Sequence, residues 1–190
     1  MKIGILLLGP FMAVLSYPGH CGGLADCEAR LQIVADHFRN PSGRIAGVHL
    51  ETRVSVSSQV PDGLDAYADS RSNRIYVSPR VCRYGDLSKI VLIAHEIGHL
   101  VAHARLPWLK LDAYSRTPQI GGAIHEGVAD GYAGDMLRQI SILDFVIDAM
   151  RAVCSAEPSG PDGFDTRYGS SACAHLGGLT SAGERAIGGR

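Results

Sequence analysis

Several features that would announce a function by composition are missing from this 190-residue chain, and each absence closes a line of interpretation. There is no excess of either charge: 18 Lys and Arg stand against 19 Asp and Glu. Without a basic field the chain has no means of gripping a polyanion, so nucleic acid is not an expected partner. No acidic tail offers itself to a cationic partner either. None of the five cysteines forms a C-x-x-C pair, which argues against an all-cysteine zinc site and a thioredoxin-like redox motif. No internal repeat or linker divides the chain, and at 46 % apolar residues it is neither disordered nor low in complexity. What remains is one domain of ordinary size, long enough to bury a core.

Long apolar runs are absent too, beyond the first twenty residues. There Lys2 is followed by Ile3 to Ser16, holding Leu6, Leu7, Leu8, Phe11, Met12, Val14 and Leu15. This run falls short of the roughly 20 residues of a spanning helix and has the length of the apolar part of a secretory signal. Residues 1–20 therefore read as a signal peptide. Residues 21–190 read as an exported domain (secreted, periplasmic or cell-envelope) with no integral membrane span once the leader is removed. Lipid attachment at Cys21 is an alternative, disfavoured by His20 where a small residue should precede. In an oxidising compartment Cys154 with Cys173 would close the Gly/Pro-rich loop between them.

Along the chain, Leu31, Val34 and Phe38 at helical spacing predict a helix from Leu24 to Phe38, ended by Asn40-Pro41-Ser42-Gly43. Apolar and polar residues alternate from Arg44 to Val60, which predicts strand with a register change near Thr52. Two short strands, Leu64 to Ala68 and Arg74 to Ser78, are expected to flank Asp69 to Asn73. The strongest helix is expected from Asp86, as N-cap, to about Arg105, closed by Pro107. After a Pro- and Gly-rich connection, a helix from Ala123 to about Gln139 continues or breaks into another, Ile142 to Val153. From about residue 157 the composition is that of a loop. The layout predicts an α+β fold: N-terminal helix, small mixed or antiparallel sheet, then a helical half with a C-terminal loop.

The chemistry sits in His95-Glu96-Ile97-Gly98-His99, inside the strongest helix. Four residues on an α-helix turn through about 400° and rise about 6 Å, so the two imidazoles leave one face, one turn apart. One Zn²⁺ can accept both. Glu96 is rotated about 60° from His99 and flanks the metal, where it can take a proton from a zinc-bound water. A bare H-E-x-x-H arises by chance in roughly one such chain per hundred, so context must decide. The context is a helix whose other positions include Ile90, Val91, Ile93, Ala94, Ile97 and Val101. Gly98 costs that helix about 1 kcal/mol against Ala, which points to close packing there.

Two histidines leave a catalytic zinc one protein ligand short. Glu126 and Asp130, four apart on the next predicted helix, project to one side. One can ligate the metal while the other accepts a hydrogen bond from a ligand imidazole. Glu126 as ligand and Asp130 as its orienting neighbour is the expectation, the reverse its rival. His103, one turn past His99, suits a rim or packing position, and Tyr132, Tyr114 or His175 could steady a developing oxyanion.

H-E-I-G-H followed, 27 residues after His99, by E-G-V-A-D-G-Y-A-G-D-M-L resembles the gluzincin branch of the zincin metallopeptidases, including compact members of the ImmA/IrrE type. The resemblance covers about Arg74 to Leu137. It implies a zinc metallopeptidase of zincin-like fold that binds one Zn²⁺ through His95, His99 and Glu126, with Glu96 activating the zinc-bound water. It further implies that Arg74 to Ser78 lines the cleft, where a peptide or protein substrate adds in extended form. The alternative is a zinc-containing binding or regulatory module on the same fold that does not cleave. The oligomeric state is left open.

Overall fold

The computed structural model describes residues 23–106, 121–155 and 178–179. The first helix, α1 (Leu24–His37), buries Cys27, Leu31, Val34 and Ala35, a single stripe at helical spacing. Asn40 ends it as expected, its side-chain oxygen accepting from the backbone N–H of Ser42 and of Arg44, each at 3.0 Å.

The stretch expected to be one strand from Arg44 to Val60 is two things instead. Ile45 and Val48 pair across a tight turn at Ala46-Gly47, where φ is 46° and 79°. Only β1 (Arg53–Val56) is strand. Next come β2 (Ala66–Asp69) and β3 (Arg74–Val77), around a turn in which Asp69 accepts from the N–H of Arg71 and the hydroxyl of Ser72. The sheet is mixed, in the order β1-β3-β2, with β1 parallel and β2 antiparallel to β3. The expectation that Arg74 to Ser78 lines a cleft as a receptive edge is therefore corrected, because that strand is central and hydrogen-bonded on both sides.

The two outer edges of the sheet differ. Along β1, side chains of α1 stand in for a further strand. Gln32 accepts from Val54 N–H at 2.9 Å and donates to Thr52 O at 3.2 Å, while Glu28 accepts from Val56 N–H at 2.7 Å. Along β2, the register turns the backbone groups of Ala66 and Ala68 outward, and no strand among the described residues pairs with them.

A short 3₁₀ turn (Pro79–Arg83) carries Cys82 to Cys27, and the two form a disulfide with Cα atoms 5.6 Å apart. Closing 55 residues of chain restricts the unfolded ensemble, an effect of about 4 kcal/mol in the chain-entropy model. Of the loop-closing pair considered from sequence, Cys154 with Cys173, Cys173 lies outside the described residues.

The central element is α2 (Asp86–Arg105), buried from Ile90 through Gly98 without a break. Its cap is Gly85, not Asp86. Asp86 is the first helical residue, and it pairs with Lys89 at 3.4 Å. After it come α3 (Gly121–Gln139) and α4 (Leu143–Ser155), separated by a turn with Ser141 at φ 61°, so the expected helical half does break. Leu143, Val146, Ile147 and Met150 of α4 close the core below α3. The fold is thus α+β, with four helices and a three-stranded mixed sheet among the described residues. No helix among them is long and apolar enough to cross a membrane. The leader, and the loop expected from residue 157 apart from Gly178 and Leu179, lie outside them.

Candidate metal centre

Placement of the site begins with Gly98. A Cβ added there would lie 2.2 Å from the carbonyl oxygen of Ala129, so α2 and α3 touch backbone to backbone. This close approach is what the glycine within H-E-I-G-H suggested. It brings Glu126 and Asp130, on either side of Ala129, up to the two histidines of α2.

The resulting cluster is small. The Nε2 atoms of His95 and His99 are 3.0 Å apart. Glu126 reaches both, Oε2 to His95 Nε2 at 3.0 Å and Oε1 to His99 Nε2 at 3.6 Å. On the far side of the first ring, His95 Nδ1–H donates to Asp130 Oδ1 at 2.8 Å. That bond fixes the orientation of the His95 ring and turns its Nε2 toward His99 and Glu126. Of the two arrangements open from sequence, this geometry has Glu126 facing the Nε2 atoms and Asp130 on Nδ1. Glu96 is buried beside His95, and its negative charge is felt there.

Do these donors suit a metal ion? Tetrahedral zinc with bonds of about 2.0–2.1 Å sets its ligand atoms about 3.3 Å from one another. Here the two Nε2 atoms are 3.0 Å apart, and one ligand atom from each of His95, His99 and Glu126 lies within 4.8 Å of the others. His95, His99 and Glu126 thus form a group that could hold a metal ion. The charges agree. Burial disfavours a charged His95, but its bonds to Asp130 and Glu126 and the charge of Glu96 outweigh burial and raise its pKa to about 10. Burial likewise pushes Glu126 up, yet hydrogen bonds from His95 and His99 hold its carboxyl well below the usual range. The cluster is built to surround positive charge.

The remaining candidates fall elsewhere. Among the described residues His103 is not part of the cluster. Tyr132 lies under the Arg105 guanidinium, 5.8 Å from ring centre to Cζ. Tyr114 and His175 lie outside the described residues. Sequence reading missed Gly178, whose backbone is packed on the Asp130 side chain. Its only local sign is a Gly-Gly pair, which reads as a turn. Comparison with family models, with curated proteins and with solved structures found no match for this chain.

Proposed function

We propose that this protein is an exported zinc metallopeptidase of the gluzincin kind. One observation carries the reading: His95, His99 and Glu126 converge on a point while Asp130 grips the back of His95. Two imidazoles and one carboxylate make the donor set of a catalytic zinc, with a position left for water or substrate. A closed structural site would use a fourth protein ligand instead.

Bound there, zinc supplies Lewis acidity, polarising a carbonyl and bringing the pKa of water toward about 7. The chain does the rest. Asp130 keeps the Nδ1 proton on His95, so its Nε2 stays a donor to the metal. Glu96, buried beside that ring, takes a proton on a carboxylate oxygen from the attacking water and hands it to the departing amine. An extended substrate would add to β2, the open edge of the sheet and a strand that packs on α2. Export is supported by the apolar leader and by the Cys27–Cys82 disulfide, which suits an oxidising compartment.

The test is cleavage of an unfolded protein such as casein by the zinc-loaded chain beside its Glu96→Gln counterpart. Both should hold one zinc, and turnover should fall in the variant by about 10²- to 10⁴-fold. Equal turnover would remove Glu96 from the mechanism. One zinc with no turnover in either form would favour the non-catalytic module.

A further inference from the structure

We propose that Gly178 is a positioning residue of the metal centre, its backbone packed on Asp130 so that the carboxylate stays on His95. This inference rests on the metal-site reading above. A Cβ at Gly178 would lie 2.3 Å from Asp130 Cβ, 2.6 Å from Oδ2 and 2.9 Å from Cγ. Side-chain rotation could relieve the last two contacts, but only by taking the carboxylate off His95 Nδ1. It could not relieve the first, because Cβ moves only with the backbone of α3.

That backbone has nowhere to go. One residue earlier, Ala129 is already against Gly98 of α2. Two glycines therefore clamp consecutive residues of α3, one on the helix that carries the histidines and one far along the chain. Nor is Gly178 free to retreat, since its neighbour Leu179 is 1 % exposed in the core. The space at Gly178 is taken up by Asp130, leaving that carboxylate 3 % exposed and tied to the imidazole. Gly178 is thereby part of the site, although it belongs to neither the H-E-x-x-H nor the E-x-x-x-D pattern. Removing a partner that orients a metal-bound histidine weakens metal binding by about 10- to 100-fold, and displacing it should act in the same direction.

The experiment is zinc affinity by competition with a chelator, for the full chain and for Gly178→Ala, Asp130→Gly and the double variant. Gly178→Ala should weaken zinc binding by about tenfold or more, and should add nothing once Asp130 is Gly, which has neither the carboxylate nor the Cβ. A merely structural glycine would cost the same factor in both backgrounds, or none, and either result overturns the proposal. Should Gly178→Ala fail to fold, hydrogen exchange on the unsubstituted chain decides. Coupling is reciprocal, so zinc must slow exchange at the Leu179 amide, and an unchanged rate overturns the proposal. An unsubstituted chain that takes up no zinc would overturn the metal-site reading itself.

Discussion

His95 and His99 are the same residue type, one turn apart on one helix, with their Nε2 atoms 3.0 Å from each other, yet they are held in opposite ways. His95 is 6 % exposed, and its Nδ1 is bonded to a carboxylate that is itself buried. His99 is partly exposed, and among the described residues nothing holds its Nδ1. Glu126, which closes the group, is more exposed still. The centre therefore has a rigid back, made with the core, and an adjustable front that opens toward solvent. Precision at one ligand and access at the other is what a site needs if it is to hold a metal and still admit a substrate.

The largest expected contrast comes from removing each imidazole. His95→Ala and His99→Ala should both lose stoichiometric zinc, measured on the purified chains. Their metal-free stabilities should separate. His95→Ala removes from the buried Asp130 carboxylate its bond to the imidazole, a loss of about 2–4 kcal/mol in urea unfolding, whereas His99→Ala should stay within about 1 kcal/mol of the parent. Equal losses would erase the distinction between back and front. Asp130→Asn is a milder probe, keeping shape and an acceptor while removing charge. It should weaken zinc binding about tenfold with little effect on folding, and an unchanged affinity would mean that the charge on His95 is irrelevant to the metal.

A third contrast lies in pH dependence. A His95 pKa raised from 6.5 to about 10 in the metal-free fold adds stability that is complete below about 6.5. That stability is lost as the pH climbs through about 10. Thermal melting in chelator should therefore show a decline over this window. Zinc affinity should rise over the same window, because the metal must displace the proton. A melting profile that is flat from about pH 7 to 10 would show that His95 carries no such proton.

What was legible in the sequence follows the range of the interactions concerned. Period and punctuation are local, so α1 and α2 could be read from apolar spacing and turn residues, while a continuous or a broken helix after Gln139 both fitted the pattern. H-E-x-x-H encodes its geometry within one turn of helix, and Gly98 betrayed a close neighbour because an unneeded glycine is costly there. Pairing order is not local. Nothing in the alternation of Arg74 to Ser78 says that this strand lies between two others. Ile45 and Val48 look like strand residues, but the left-handed pair Ala46-Gly47 between them folds them into a turn. The Asp130 bond to His95 spans 35 residues, and the contact with Gly178 comes from farther still.

The Cys27–Cys82 bond has a consequence for a protein that lives among peptidases or is one. Every strand of the sheet lies between those two cysteines. A backbone cut anywhere from residue 28 to 81 leaves both pieces joined through sulfur, with all the pairing partners still tethered. Such a nicked molecule would run as a single band until it is reduced, and the helix with both histidines would stay attached to its sheet after the damage.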